Sequence, residues 1–435
     1  MPTQLSFRIE NGIRYLAPYW TSYRASAKGR WCGRTVVEVF QDEFLQYNPN
    51  YALAALRLGR ILINGKQVTK IDQRIRGGDS IEHIHHKHEH PTLDKQIGII
   101  ADTDTMLVVN KPPSMPVHAC GQYKVNTVLG LLWKLHGKSG LRPLHRLDRV
   151  TSGVLLFAKD LQTDIEAKRL IQTGHWKKAY VCKIKGKFPD GKQICDQPID
   201  TLVLNLGVQQ VREDGKECKS AFERVWYDPV SDESMVLCHI ESGRTHQIRV
   251  HLQFLGYPII GDNIYNTEAW GPERGKGAVY GKSKEQLIAD IRQHHSYSHW
   301  HEYKDPDYDK RVLDVAQNEE TQMEDWTSGD FKFTERPVID PVCVFCHVQK
   351  RKPPPDHYLM PLHCWRYQTD KWSFTAELPG KFLILWNFSN LTSLGWAWPP
   401  PDNAEVIPGL VDDKGANPEK VFPIIESPEI EMIYE

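Results

Sequence analysis

The apolar runs of this chain are short, and their period keeps changing. Val108-Val109 ends at Asn110-Lys111-Pro112-Pro113 and reads as a buried strand entering a loop. Val154-Leu155-Leu156-Phe157-Ala158 is a second strand-like run, and Ala179-Tyr180-Val181-Cys182-Lys183-Ile184 alternates like a strand with one buried face. Between them Leu161–Gln172 has helical spacing. Leu161 and Ile165 are four apart, Ala167, Leu170 and Ile171 follow at i, i+3 and i+4, and Gly174 is placed as the C-cap. Such a pattern builds a mixed α/β body. Nowhere are there about 18 consecutive apolar residues, which excludes a helical membrane span.

The texture divides the chain. Residues 1–90 hold 13 basic and 8 acidic side chains. They contain a helix-like Tyr51–Leu56, a short strand Ile61-Leu62-Ile63 closed by an Asn64-Gly65 turn, a Gly77–Asp79 turn, and the alternating Ile81-Glu82-His83-Ile84. A larger body begins at residue 91. Residues 266–340 lose hydrophobicity and read as a charged insertion with one helix near Lys284–Arg292. The packed texture returns with CVFC, LHCWRY and Trp372-Ser373-Phe374-Thr375-Ala376, and from residue 399 the chain is an acidic, Pro-rich tail. A length of 435 residues accommodates these units. The first 20 residues have no apolar h-region and carry Glu10, so neither a secretory signal nor a transit peptide is expected. Nine scattered cysteines fit reduced thiols inside the cell.

Net charge is -1, but it is unevenly spread. Residues 301–340 carry 12 acidic and 5 basic side chains, and residues 401–435 carry 9 and 2. The rest therefore sums to +13, a basic body compatible with a polyanion. Solvated acidic loops beside an accidental balance would give the same numbers.

Two segments carry chemistry. In Leu144-His145-Arg146-Leu147-Asp148-Arg149-Val150-Thr151-Ser152-Gly153 a carboxylate lies between two arginines in a turn-rich loop. Guanidinium neighbours hold a carboxylate ionised, and a positioned carboxylate is a nucleophile or a base. A structural salt bridge has the same pattern. The second is Ser242-Gly243-Arg244-Thr245-His246-Gln247-Ile248-Arg249-Val250-His251, continuing to Gly261-Asp262. On a strand Gln247, Arg249 and His251 would share one face; on a helix they would spread. Such a face suits phosphate or a buried carboxylate, and an ordinary solvated face over Ile248, Val250 and Leu252 fits the alternation equally.

His145-Arg146-Leu147-Asp148-x-x-Thr151-Ser152-Gly153 with Ala158-Lys159 resembles the signature of the RluA family of RNA pseudouridine synthases. Gly243–His251 with Gly261-Asp262 resembles the family's later motif, and Asn110–Pro113 and Lys178-Ala179-Tyr180 fall in the family's order. Residues 51–79 look like a degenerate S4-type RNA-binding module, and Trp270-Gly271-Pro272 and LHCWRY–WSFTAELPG are similar to the eukaryotic branch.

The resemblance implies an α+β pseudouridine synthase fold, mainly antiparallel, with a small N-terminal S4-like module. It divides the chain into that module (1–90), a catalytic domain (91–398) interrupted at 266–340, and the tail (399–435). The implied reaction isomerises uridine in RNA to pseudouridine without a cofactor, which agrees with the lack of a GxGxxG or GxxxxGK[ST] fingerprint. Asp148 takes the nucleophile's place, attacking C1′ or C6. Arg249 takes that of its arginine partner, and Tyr180 that of the tyrosine that stacks on the base and helps remove the C5 proton. Arg146 is expected to extrude the target nucleotide. Lys111, Lys178, Arg244, His246, Gln247, Arg60 and Lys66 are expected RNA contacts, with structural support an equal part for Lys111 and Lys178. Pro113 and Cys218 stand where the family has other residues. The expected partner is RNA, transfer RNA before ribosomal or messenger RNA. A monomer is expected, without a membrane, in cytoplasm or nucleus, with the mitochondrion open.

Three other signals compete. Cys343-x-x-Cys346 with His363-Cys364 has the composition of a structural zinc site, against buried or surface thiols. His239-Ile240-Glu241 with Pro341–Cys346 mimics a zinc deaminase, but a residue intervenes before Cys343 and about 100 residues part the halves. His83, His85, His86, His88 and His90 are expected as an exposed basic linker, with chelation the alternative, and Trp365, Tyr367, Trp372 and Phe374 as core. Two rival functions remain: an RNA-holding protein without chemistry, for which intact Asp148, Tyr180 and Arg249 are superfluous, and a hydrolase, which wants a second carboxylate.

Overall fold

The computed structural model describes residues 6–379, except 45–46, 174, 296–300, 325, 327–335, 351–352, 354 and 370–371, and then residues 402–406. The Gly174 cap and most of the tail lie outside the described residues. The expected strands assemble into one long sheet, in the order Gln193–Cys195, Ser220–Asp228, Glu233–Ile240, Lys177–Lys185, Leu362–Gln368, Ser152–Ala158, Met106–Lys111, Gly98–Asp102. Every pairing along this path is antiparallel except one. Ser152–Ala158 runs parallel to Leu362–Gln368, with Gly153 opposite Cys364. A Cβ on Gly153 would lie 2.1 Å from the Cys364 carbonyl oxygen, and its φ is +108°. Only glycine permits that joint, and it fixes the strand that leaves the Asp148 loop.

Lys177–Lys185 is buried on both faces, not one. Tyr180, Cys182 and Ile184 join the main core, while Ala179 and Val181 pack with Trp226, Trp365 and Leu378. A strand in the middle of a sheet covered on both sides keeps its alternation yet loses its solvent face. Leu161–Gln172 is a helix with an Asp160 N-cap, but Leu161 and Ile165 are exposed; Ala167 faces the core, with Leu170 and Ile171 partly buried against it.

The N-terminal region builds helices Val36–Glu43 and Tyr51–Arg57 against a sheet ordered Tyr19–Ser26, Ser80–Lys87, Ile61–Ile63, Lys66–Gln67. The Asn64-Gly65 turn has φ of 51° and 78°, so both residues are left-handed as a two-residue hairpin requires. Helix Val36–Glu43 has a capping box: Thr35 Oγ1 accepts from Glu38 N–H, and Glu38 accepts from Thr35 N–H. The expected exposed histidine linker is instead the Ser80–Lys87 strand, paired on both edges, with His83, His85 and His86 buried. Tyr51 hydroxyl meets His83 Nε2 at 3.0 Å, and burial pushes the His83 imidazole down to about 3, so it is neutral.

Among the described residues the charged stretch contains two helices, Lys284–His294 and Tyr308–Gln317. Tyr308, Val312 and Ala316 repeat at i, i+4 and i+8 and are buried against the N-terminal core with Val342–Phe345. Trp270, Tyr265, Leu287 and Ile291 pack with Val250 behind the second chemical motif. Its described helices are thus packed into two cores instead of looping away from them.

Candidate active site

Gln247–Phe254 is a helix, so the shared strand face does not exist. Gln247 and His251, four apart, lie on the same side, and each meets Ser220 Oγ, at 3.0 and 2.9 Å. Arg249 is two residues on, about 200° around the axis, and points the other way. There its Nε and Nη2 donate to the two Asp262 oxygens at 2.7 and 2.8 Å, and Nη1 donates to Asp148 Oδ2 at 3.0 Å. The spread produced by the helix is what delivers Arg249 to Asp148, 101 residues away.

Asp262 also accepts from the Ile264 and Tyr265 N–H groups. Burial works against its charge, but Arg249 and these donors outweigh burial and hold the carboxyl below 3.8. The same balance acts at Asp148: burial raises it, His246 and Arg249 lower it more, and the net direction is down. His246 Nε2 lies 3.5 Å from Asp148. Burial pushes His246 itself down to about 4, so at neutral pH it is uncharged and Arg249 is the cation that holds Asp148. His246 has a left-handed backbone, φ 57°, at the helix start. That conformation costs a non-glycine residue about 1 kcal/mol or more, and a bond from its Nδ1 to Tyr265 hydroxyl at 2.8 Å keeps the ring beside Asp148.

Asp148 occupies a tight turn closed by Thr151 N–H to its own carbonyl at 3.1 Å. Of its two flanking arginines only Arg146 is on the cleft. Arg149 turns away and donates to the His357 carbonyl at 2.5 Å. The cleft has a volume of ≈ 510 Å³. Arg146 and Arg244 lie on its exposed rim, and Tyr180 and Tyr367 line its interior. Tyr180 sits at a register shift of its strand against Leu362–Gln368, where Ala179 is opposite Arg366 but Tyr180 is opposite Cys364. A bulge of this kind re-aims a side chain. Burial, then Cys364 and Tyr367, push the Tyr180 phenol well above 10, so it stays protonated.

Several expected contacts are elsewhere. Lys111 is fully buried and donates to the carbonyls of Pro112, Met115 and Arg149 at 2.9, 2.7 and 3.0 Å. It anchors the Asp148 loop and cannot reach phosphate. Gln247 is spent inside the motif, accepting from Ser242 and the Arg244 N–H and donating to Lys219 and Ser220. Arg60 is buried between Asp340 and Glu324. Lys66 is exposed on its hairpin, and Lys178 is buried at the cleft wall. His363 and Cys364 do not join Cys343 and Cys346. They lie on the central sheet, with His363 Nδ1 2.9 Å from Ser152 Oγ and Cys364 against Gly153. His239 and Glu241 take no part in any metal-type cluster among the described residues.

What sequence reasoning overlooked is the part of Asp262 and of Tyr367 in the site, whereas Lys111 takes the structural alternative expected for it. Asp262 stood in a quoted motif without a function. Tyr367 belongs to the core as expected, and it also stacks on His145 at 4.4 Å and lines the cleft, whereas Trp372 of the same set is exposed.

An ionised, clamped carboxylate in a cleft with aromatic walls and a cationic rim is the equipment of an enzyme acting on a nucleotide extruded from a polyanion. The sequence matches the family described as RNA pseudouridylate synthase over residues 105–254. It is 34% identical over 408 residues to human "Pseudouridylate synthase RPUSD2", covering 86% of this chain and 74% of that protein. The chain belongs to the RNA pseudouridylate synthase family and is a pseudouridine synthase, an isomerase that converts uridine in RNA. It is also 50% identical over 379 residues to an uncharacterized protein of Caenorhabditis elegans, covering 87% of each. Against the tRNA pseudouridine(31) synthase of Saccharomyces cerevisiae it is 28% identical over 413 residues, covering 85% of this chain and 95% of that one. No helix of the described residues is long and apolar enough to cross a membrane.

Proposed function

We propose that Asp148 is the nucleophile of this synthase and that its substrate is transfer RNA. The observation that carries the first part is the Asp148–Arg249–Asp262 relay at the cleft. Asp148 lines the cleft, its carboxyl is held below the usual carboxylate value, and its Oδ2 is fixed by Arg249. The carboxylate either attacks C1′ and displaces N1, or adds to C6 before the N1–C1′ bond breaks; the base turns, a C5–C1′ bond forms, and the bond to Asp148 breaks as the carboxylate leaves. The C5 proton is lost and N1 gains one, so no electron acceptor or group donor is consumed.

Arg249 orients Asp148, and Tyr180 stacks on the freed base. Tyr180's raised phenol fits a platform better than a resting-state base. Arg146 on the rim fills the space vacated by the extruded nucleotide. The transfer RNA assignment is supported by the yeast relative's being a tRNA pseudouridine(31) synthase. The N-terminal region, with Lys66 exposed on its hairpin, would hold RNA away from the cleft.

The test is incubation of the full chain, without cofactor, with total RNA from cells lacking the matching synthase, followed by single-base mapping of pseudouridine. Wild type is expected to add sites in transfer RNA, and Asp148→Ala none, with RNA binding retained. Pseudouridine formed by folded Asp148→Ala would refute the nucleophile. Sites confined to other RNA classes would refute the substrate.

A further inference from the structure

Away from the cleft, four metal-binding side chains converge from two distant parts of the chain. His86 and His88 come from the end of the Ser80–Lys87 strand and the residues just after it. Cys343 and Cys346 flank the 3-10 turn Val344–Cys346. One donor atom from each lies within 4.8 Å of all the others. His86 Nδ1 is 3.1 Å and His88 Nε2 3.3 Å from Cys346 Sγ, and the two imidazole nitrogens are 3.2 Å apart. A tetrahedral zinc with bonds of about 2.0–2.3 Å sets its donor atoms roughly 3.3–3.8 Å apart. The observed 3.1–3.3 Å separations lie at the short edge of that range, and Cys343 Sγ completes the group within 4.8 Å of the other three. The geometry points to a structural Cys2His2 zinc site formed by His86, His88, Cys343 and Cys346.

Three features make this a built site. The i, i+2 spacing of His86 and His88 puts both rings on one side of extended backbone, and the Cys-x-x-Cys turn presents two sulfurs from a single short loop. Asp340 N–H donates to Cys346 Sγ at 3.4 Å, and His86 presents its Nδ1 to the same sulfur. That arrangement leaves Nδ1 as the coordinating nitrogen. The charge also closes, because two thiolates and two neutral imidazoles neutralise Zn²⁺, which lets the group be buried without a residual ion. With four protein donors the site has no open position, so it does not activate water.

The site joins residues more than 250 positions apart. It ties the N-terminal sheet to the segment that leads into Leu362–Gln368, the strand beneath Tyr180 and Gly153. It thereby fixes the N-terminal region against the catalytic sheet. Free cysteines alone would give only weak sulfur hydrogen bonds at this seam.

The decisive experiment is metal analysis of the full-length chain purified with zinc in the medium and no chelator. About one zinc per chain is expected in wild type and in Cys32→Ser, with less than about 0.1 in Cys343→Ser/Cys346→Ser. Should that double variant fail to fold, wild type stripped by a chelator and loaded with Co²⁺ gives an independent answer. Strong tetrahedral d–d bands with thiolate-to-cobalt charge transfer are expected, and His86→Ala/His88→Ala should abolish them. Chelation should lower the Tm of wild type. Wild type without stoichiometric zinc, a weak octahedral cobalt spectrum, or undiminished zinc in a folded double-cysteine variant would each overturn the proposal.

Discussion

Two arginines in this chain are buried to the same degree and meet two carboxylates each, yet only one belongs to a site of chemistry. Arg249 and Arg60 both have side chains 3% exposed. Each has one deeply buried partner, Asp262 or Asp340, and one more open partner, Asp148 or Glu324. The difference lies in the donors and in what the open carboxylate faces. Asp262 receives two arginine nitrogens and two backbone N–H groups, whereas Asp340 receives one arginine nitrogen and the Val342 N–H. The first geometry locks the guanidinium plane, so its remaining nitrogen aims Asp148 into the cleft. The second is a joint between Arg60 of the N-terminal region and Glu324 and Asp340. A buried Arg–carboxylate pair is therefore no sign of catalysis by itself; the open face of its second carboxylate is.

The sharpest way to break the comparison is to remove each arginine. Arg249→Met is expected to lower kcat on the order of 10³-fold, since Asp148 loses the guanidinium that hydrogen-bonds its carboxylate. Arg60→Met should leave kcat within about threefold but destabilise the fold by about 3–5 kcal/mol, because Asp340 is left buried and unpaired. Urea titration and single-turnover assays read both. A large kcat loss in Arg60→Met with intact stability would put the joint in the reaction.

Asp262→Asn tests the clamp itself. It should cost on the order of 10²-fold in kcat with RNA affinity unchanged, since a misaimed Arg249 loosens the nucleophile without touching RNA. The pH dependence sharpens the same point. Asp148 and Asp262 both have folded values below 3.8, so the stability they contribute is complete above 3.8 and is lost as pH falls through their lower folded values. The pH profile of kcat/KM should thus show no acid limb from about pH 5 to 8. An inflection near 6 would implicate a histidine instead.

The smallest expected effect separates two lysine and arginine roles. Arg146→Ala should reduce the slope of log affinity against log salt by about 1, and Lys111→Met should leave that slope unchanged while costing about 1–3 kcal/mol of stability. A changed slope in Lys111→Met would return it to the RNA surface.

Much of the central sheet was legible, because its strands alternate or run apolar over a few residues, and period is a local property. The Asn64-Gly65 hairpin and the Leu161–Gln172 helix were legible for the same reason. What failed were judgements of exposure. The histidine run looked like a solvated linker because histidine is polar, yet strands pair on both edges of Ser80–Lys87 and bury it. The Gln247–Phe254 segment alternates like a strand, but Gln247 and His251 both reach Ser220 only as a helix. The zinc proposal kept Cys343 and Cys346 and exchanged their partners, because His86 and His88 are distant in sequence and adjacent only in space.

By itself the sequence determined the identity and order of the chemical groups: a carboxylate in a turn, an arginine in a later motif, a tyrosine on a strand, and the Asn64-Gly65 pair that closes a hairpin. Those are fixed by side-chain chemistry and by steric limits on φ, which act within a few residues. The tertiary structure alone decided who meets whom. It gave Arg249 rather than Arg149 to Asp148, placed Asp262 behind Arg249, and withdrew Lys111, Gln247 and Arg60 from the surface. Pairing of that kind depends on burial and on how separate turns, helices and strands come together, from 13 residues apart for Arg249 and Asp262 to 101 for Arg249 and Asp148, and no local pattern encodes it.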